Sequence, residues 1–320
     1  MKIRLGFVAM SLKLENSSPS KTVTYKTYQG LSDDESRLYR LKKITAENLL
    51  NTLRIMIHAK AHDVQVYRIT SKLVPLATHE QVIDWDYVTE LSDEFSKIRE
   101  WINKSHMRVS AHPDHFTLLT SAKKEVLAAA IRDLVYHDAI LAAIGLGPDK
   151  GKLVIHVGGT YKDKESAKET FAENFSSLPE NLRKRITLEN DDKSYTASDT
   201  LFLCQRLHIP MVFDVHHHLC NPDGLPVEEL LEPIFNTWQG QVLVPKVHFS
   251  TPKSPASIRS HADFIDSAAF YEFLNQAKRL NRDFDIMLEA KNKDEALFQL
   301  VQELKQYKDI DFIDGASFEI

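Results

Sequence analysis

Two patterns of hydrophobic and polar positions alternate along the chain of 320 residues. Short continuous apolar runs, typical of buried strands, are followed by longer stretches with apolar residues spaced three and four apart, typical of amphipathic helices. Strands are predicted at 3–10, 64–70, 108–113, 152–158, 185–191, 210–216, 243–250 and 283–290. Helices are predicted near 45–62, 85–104, 121–145, 163–178, 197–208, 226–238, 266–281 and 294–308.

This alternation predicts a fold. Eight β/α units in a chain of this length favour a (β/α)8 TIM barrel over an open sheet. With no internal repeat or linker, residues 1–320 are predicted to form a single domain. Residues 11–43 break the rhythm, because they are polar and too long for an ordinary loop between a strand and its helix. We expect this long loop after the first strand to cover or extend the site, or to be a partly disordered decoration.

Possible metal ligands stand at the ends of six consecutive predicted strands. They are His112, His156, Glu189, Asp214, His248 and Glu289, with His217 just past the sixth strand and His261 in the loop after the seventh. The strands of a parallel barrel run the same way, so these ends converge on one rim. Burying such groups is unfavourable without a cation, and imidazole and carboxylate commonly bind divalent metals. The sequence therefore predicts a metal site at the rim.

The number of candidate ligands indicates the chemistry. Eight exceed the three protein ligands typical of one catalytic zinc. They suit two or three divalent ions, with Glu189 or another carboxylate bridging neighbours. Paired ions about 4 Å apart are typical of enzymes that catalyse displacement at phosphorus, which favours metal-assisted phosphoester hydrolysis. No serine or cysteine nucleophile motif and no glycine-rich phosphate loop competes with this interpretation.

Lys246 needs a separate interpretation. Strand alternation places it on the same face as His248, where a cation cluster would repel an ammonium group. It is a neutral base, a phosphate contact, a carbamylated lysine acting as an anionic ligand, or an ordinary surface lysine. Asn190 and Asp191, which follow Glu189, either orient ligands or cap the turn into the next helix, and His216 is expected to be structural.

Charge and composition add limits. The net charge of −5 and a pI near 6.3 give no global basic field, which weighs against nucleic-acid binding unless metal ions and local cations offset it. Candidates near the rim are Lys13, Lys21, Lys26, Lys253 and Arg259. The sequence contains no run of about 18 apolar residues, so no membrane-spanning helix is expected. Only two cysteines favour a reducing compartment, so a cytoplasmic protein is expected, and nothing indicates an obligate protein partner.

A set of short motifs spans the chain: I-R-L-G-F at 3–7, H-P-D-H-F at 112–116, I-H-V-G at 155–158, L-E-N-D at 188–191, D-V-H-H at 214–217, K-V-H at 246–248, His261 and L-E-A-K at 288–291. They run in order from the first strand to the eighth. This set resembles the motifs of one known family, the ultraviolet damage endonucleases. The resemblance implies a TIM barrel related to endonuclease IV-type apurinic-site endonucleases. It also implies a double-stranded DNA substrate nicked immediately 5′ of pyrimidine dimers and 6-4 photoproducts, leaving 3′-hydroxyl and 5′-phosphate ends.

The resemblance also implies roles for particular residues. Catalysis is expected from Glu189 and Lys246, and Mn²⁺ is favoured, with Mg²⁺, Zn²⁺ or Co²⁺ possible. His115 and Phe116 match the pair that probes the duplex at the lesion, although the family usually has glutamine where this chain has His115. Metal ligation is implied for His112, His156, Glu189, Asp214, His217, His248, His261 and Glu289.

Two other classes of function are weighed against this one. A sugar isomerase or epimerase also uses histidine and carboxylate ligands on a barrel, but it needs fewer histidines and leaves His115 and Phe116 without a role. A non-catalytic protein that recognises damaged DNA would use the metals only structurally. An open rim with mixed ligands is poorly suited to a closed structural metal site.

Overall fold

Eight parallel strands close into a barrel at the centre of the computed structural model, which describes residues 1–161 and 163–320. The strands are β1 Lys2–Val8, β2 Val66–Arg68, β3 Arg108–Ala111, β4 Lys152–His156, β5 Ile186–Glu189, β6 Met211–Asp214, β7 Lys246–Phe249, β8 Pro252–Ser254, β9 Ser257–His261, β10 Phe284–Leu288, β11 Asp311–Phe312 and β12 Ser317–Glu319. The barrel consists of β1 to β7 and β10, in chain order, and β10 pairs with β1 to close it. The predicted (β/α)8 barrel in one domain is confirmed.

Helices follow each barrel strand and cover the outside of the barrel. They are α1 Tyr25–Gln29, α2 Asp34–Ala61, α3 Tyr87–Glu90, α4 Ser92–Ser105, α5 Lys124–Ala143, α6 Lys164–Ser177, α7 Glu180–Arg185, α8 Ala197–Leu207, α9 Val215–Cys220, α10 Val227–Asn236, α11 Ser267–Lys278 and α12 Lys293–Leu304. Their apolar faces pack on outward-facing strand residues such as Leu5 and Phe7, which are fully buried. Within the described chain, no helix is long and apolar enough to cross a membrane.

The connection after β1 is shorter than the predicted loop of 11–43. Helix α2 begins at Asp34, where the side chain of Asp33 caps it by accepting a hydrogen bond from the Ser36 amide at 2.7 Å. The polar start of this helix had the composition of a loop, which explains the wrong boundary. The remaining loop is tied to α2, because Asn48 Nδ2 donates to the Lys21 carbonyl and Asn51 Nδ2 to that of Ser18, both at 2.9 Å.

The sixth strand also ends earlier than predicted. It stops at Asp214, whose Oδ1 accepts a hydrogen bond from the His217 amide at 2.7 Å and so begins the short helix α9. His216 and His217 therefore lie on a helical turn above the strand. Because a capping carboxylate leaves its second oxygen available, this local geometry directs Asp214 and His217 toward the same space.

Two features outside the barrel have no counterpart in the predicted elements. Strands β8 and β9 form an antiparallel hairpin in the loop after β7. Strand β12 pairs antiparallel with Lys2–Arg4 of β1, below the point where β2 begins to pair at Gly6. A side chain at Gly6 would place its Cβ 2.3 Å from the Val66 carbonyl oxygen, so only glycine permits this close approach of β1 and β2.

Residues at alternate positions face the barrel interior and form layers. At the amino-terminal end, Asp285 of β10 is paired with Arg4 of β1 and Arg108 of β3. One layer higher, Lys246 Nζ of β7 donates across the barrel to Ser110 Oγ of β3 at 2.7 Å. The next layer is the rim formed by the carboxyl ends of the strands.

Candidate metal centre at the barrel rim

Glu189 lies at the centre of the rim. It is the last residue of β5, and its side chain is 1% exposed. One carboxylate oxygen, Oε2, is 2.9 Å from His112 Nε2 and 3.6 Å from His156 Nε2. The other, Oε1, is 2.6 Å from His248 Nδ1. Residues from four different strands or strand ends therefore meet at one carboxylate.

Two further carboxylates adjoin Glu189. Glu289 follows β10, and its Oε1 is 3.1 Å from His248 Nδ1. Asp214 is fully buried, and among the described residues its Oδ2 has no hydrogen-bond partner. Ligand atoms lie within 4.8 Å of one another in two groups, one of His112, His156 and Glu189 and the other of Glu189, Asp214, His248 and Glu289. We call these six residues the rim cluster, and Glu189 belongs to both of its groups.

His217 and His261 lie outside these two groups. His217 Nδ1 is 3.7 Å from Asp214 Oδ2 and 3.9 Å from Glu189 Oε1, but its hydrogen bond goes to the Asn190 carbonyl at 2.9 Å. His261 is carried by the β8–β9 hairpin, with its ring centre 6.5 Å from that of His217. The structure thus gathers six of the eight predicted ligands tightly and places the other two beside them.

The electrostatics of the rim cluster favour cation binding. Burial raises the pKa of Asp214 well above its usual value, whereas burial lowers the pKa of His248 and of His156. Burial also acts to raise the pKa of Glu189, but His248 and His156 outweigh it and hold that pKa low. Neutral imidazoles around buried carboxylates form the donor set that divalent metals prefer. An unpartnered Asp214 oxygen beside this set fits a bound cation, so these residues can hold metal ions.

Lys246 lies one layer below the rim cluster. It is 1% exposed, so the interpretation as a surface lysine is wrong. Burial, reinforced by Arg108, lowers the pKa of Lys246 well below its usual value. The hydrogen bond to Ser110 does not distinguish the three other interpretations of Lys246, as a neutral base, a phosphate contact or a carbamylated ligand, and these stay predictions.

Arg68 is a rim residue that the sequence did not reveal. It is the last residue of β2, and its guanidinium forms an ion pair with Glu289 Oε1. Although burial acts to raise it, the pKa of Glu289 is lowered by this arginine. Arginine is not a metal-ligating residue type, so the pattern of ligands at strand ends did not include it. The charged side chain at the end of V-Y-R was nevertheless a usable signal.

His115 and Phe116 lie in the loop after β3, three and four residues beyond His112 of the rim cluster. The two rings lie 3.9 Å apart between centres, and His115 Nδ1 is 2.6 Å from Asp114 Oδ1. Phe116 is 68% exposed, so its ring does not pack beneath the rim. It borders a cleft of about 380 Å³ that is also lined by Thr22, Lys72, Pro75, Asp114 and Tyr136.

A parallel (β/α)8 barrel with histidines and carboxylates gathered at the carboxyl ends of its strands defines a class of barrel proteins whose chemistry takes place at that rim. The model of the family described as UV-endonuclease UvdE matches residues 3–319. The chain therefore belongs to this family, and the resemblance seen in its motifs is confirmed.

Individual relatives agree with this family. The UV DNA damage endonuclease of Bacillus thuringiensis subsp. konkukian (strain 97-27) is 44% identical over 319 residues, covering 100% of both chains. The crystal structure of SacUVDE superposes with a TM-score of 0.85 at 30% identity, covering 95% of this chain and 98% of that one. Endonuclease IV from Thermus thermophilus, at 14% identity and a TM-score of 0.53, covers 89% of this chain and 91% of its own. That last similarity shows the fold alone.

Proposed function

We propose that this protein nicks double-stranded DNA immediately 5′ of ultraviolet photolesions by metal-assisted phosphodiester hydrolysis. Its substrates are cyclobutane pyrimidine dimers and 6-4 photoproducts, and its products carry 3′-hydroxyl and 5′-phosphate ends. Family membership supports a DNA repair endonuclease for ultraviolet damage. The observation that carries the proposal is the ring of His112, His156 and His248 around the shared carboxylate of Glu189.

The rim cluster and its neighbours would hold two or three divalent ions. His112, His156 and Glu189 would hold one, and Glu189, Asp214, His248 and Glu289 a second, with His217 and His261 available to a third. Divalent ions at such a site polarise a phosphate oxygen and lower the pKa of bound water. Mn²⁺ is the preferred ion in this proposal, and Mg²⁺, Zn²⁺ and Co²⁺ are alternatives.

The chain's own side chains position the reacting groups. Glu189 joins both ligand groups, so it fixes their spacing, and its burial excludes competing water from the carboxylate. Lys246, one layer below the rim cluster, donates a hydrogen bond to Ser110, which holds its side-chain nitrogen under the predicted ligands. We assign Glu189 and Lys246 the catalytic positions on this basis.

DNA binding must overcome a net charge of −5. Lys13 and Lys21 are paired with Glu295 and Glu47, which reduces their value as phosphate contacts. Lys253 on the β8–β9 hairpin forms no ion pair among the described residues and lies in the loop beside the rim. Metal ions at the rim cluster would make the local potential more positive, which supports approach of a phosphate backbone.

Phe116 is the residue best placed to probe the lesion. Its exposed ring borders a cleft, as expected of a side chain that fills the gap left when damaged bases leave the stack. We expect Phe116→Ala to reduce the preference for damaged over intact duplex by about tenfold, an effect of about 1.4 kcal/mol, with metal content unchanged. Equal discrimination by the variant and the wild type in competition cleavage would remove this role.

The decisive experiment is cleavage of an end-labelled duplex containing one cyclobutane dimer, with Mn²⁺ and with EDTA. The expected result is one Mn²⁺-dependent nick directly 5′ of the dimer, with a 3′ end that a polymerase extends. Two controls should give no nick: an undamaged duplex incubated with the wild-type protein, and the dimer-containing duplex incubated with the His248→Ala variant. Absence of a nick by a wild-type protein that binds Mn²⁺ would overturn the proposal.

A further inference from the structure

A chain of hydrogen bonds connects His261 to the backbone of its own hairpin. His261 Nδ1 is 2.6 Å from Ser250 Oγ, and Ser250 Oγ is 2.8 Å from His216 Nδ1. The other ring nitrogen of His216, Nε2, is 2.6 Å from the Ile258 carbonyl oxygen. Ser250 and His216 are both buried, so these contacts are made away from bulk water.

The carbonyl at the end of this chain fixes the direction of its protons. A carbonyl oxygen only accepts, so His216 must carry its proton on Nε2, and a neutral His216 then accepts at Nδ1. Ser250 therefore donates its hydroxyl proton to His216 and accepts at Oγ from His261 Nδ1. His261 is left with an unprotonated Nε2, which is the form in which an imidazole binds a metal.

In two other predicted ligands, Nδ1 is held by a simpler route. His112 Nδ1 is 3.0 Å from the Pro113 carbonyl, and His217 Nδ1 is 2.9 Å from that of Asn190. In both, a backbone oxygen accepts a hydrogen bond from Nδ1, so Nε2 is the nitrogen that remains to face a metal ion. His261 is on a hairpin rather than at a barrel strand, and two side chains take over the task that a neighbouring carbonyl performs elsewhere.

We infer that Ser250 and His216 are positioning residues that hold His261 with its Nε2 available as a ligand at the rim. This rests on the proposed metal centre and extends it to residues outside the predicted ligand set. The same bonds fasten the hairpin, because Ile258 and His261 both belong to β9 while His216 belongs to α9. The position of the hairpin and the orientation of its ligand are thereby set together.

The direct test is ¹⁵N NMR of histidine side chains in the metal-free protein. We expect His261 to be protonated at Nδ1 and His216 at Nε2. Ser250→Ala should shift His261 toward a mixture of tautomers, and Ser250→Thr, which keeps the hydroxyl, should restore the wild-type pattern. A matched control is Ser257→Ala, which removes a hairpin hydroxyl that donates to Ser260 and should leave both histidines unchanged. Protonation of His261 at Nε2 in the wild type would overturn the inference.

Titration with Mn²⁺ alone, followed by calorimetry, gives a second readout. Ser250→Ala and His216→Phe should each weaken the lowest-affinity Mn²⁺ site by about 10- to 100-fold, the usual range for residues that orient a ligand. Ser250→Thr should keep wild-type affinity. Unchanged Mn²⁺ binding by both Ser250→Ala and His216→Phe would refute the inference. It would not count against the proposed nicking activity. Conversely, wild-type protein with the expected tautomers but no nicking would count against the proposed function alone.

Discussion

The barrel contains two charge networks that differ in their balance of carboxylates and arginines. At its amino-terminal end, Arg4 donates to both oxygens of Asp285 at 2.7 and 2.8 Å. Arg108 donates to the same carboxylate at 2.6 Å and to the Val244 carbonyl at 2.9 Å. We call Arg4, Arg108 and Asp285 the base network. Its single acid is surrounded by two cations of the chain itself.

The rim cluster has the opposite charge balance, with more carboxylates than arginines. It contains three carboxylates, and Arg68 is the arginine that pairs with one of them, Glu289. Asp214 Oδ2 and the outer nitrogens His156 Nδ1 and His248 Nε2 are buried without a hydrogen-bond partner among the described residues. Since burying unpaired charge is unfavourable, a carboxylate that two arginines of the chain neutralise is structural, whereas an excess of buried carboxylates is suited to an added cation.

The largest expected effect comes from changing the centre of the rim cluster. Glu189→Gln keeps the size of the side chain but removes the shared charge, so we expect nicking to fall by at least about 1,000-fold, or about 4 kcal/mol. The measurement is initial nicking rate on dimer-containing duplex at saturating Mn²⁺. Circular dichroism should show an intact fold. A variant that nicks at the wild-type rate would disprove the central position of Glu189.

The comparison also explains why most of the rim could be predicted from the sequence. His156, Glu189 and Asp214 each end an apolar strand, and parallel strands must deliver such residues to one edge. Barrel topology follows from the count of alternating elements, so their convergence needed no knowledge of side-chain contacts.

What could not be predicted depends on contacts between distant parts of the chain. The links from His261 to Ser250 and from Ile258 to His216 require the β8–β9 hairpin to fold back over α9, and short polar hairpins carry little periodic signal. Arg68 was not predicted as a rim residue because β2 is only three residues long and ends on a residue type that does not bind metals. The base network was missed because an arginine within a strand is typical of the surface, yet Arg108 points into the barrel.

The next effect tests the base network. Asp285→Asn leaves the buried Arg108 and the partly buried Arg4 without their counter-charge, so we expect the free energy of unfolding to fall by about 3 kcal/mol. Urea denaturation measures this loss. Mn²⁺ affinity of the folded variant should remain within about threefold of wild type, a change of less than about 1 kcal/mol. A stable variant that loses Mn²⁺ binding would contradict the division of the two networks.

Metal removal should reveal the incompleteness of the rim cluster. Mn²⁺ at 100 times its dissociation constant should stabilise the folded chain by about 2.7 kcal/mol, and EDTA should reverse this. Differential scanning calorimetry should therefore record a higher Tm with Mn²⁺ for the wild type and for Asp285→Asn. Glu189→Gln should lose most of that increase. A Tm that does not respond to Mn²⁺ would mean that the rim needs no cation.

The smallest effect concerns the layer between the two networks. Ser110→Ala removes the hydroxyl that accepts from Lys246, and the loss of one buried hydrogen bond lowers the free energy of unfolding by about 1 kcal/mol. If Lys246 serves the rim, the variant should also nick more slowly, by up to about tenfold, because the Lys246 side chain is no longer held in place. Urea denaturation and nicking rates on the same preparation separate the two effects. A loss of stability with no change in nicking would assign Lys246 to the base network and remove it from the catalytic positions.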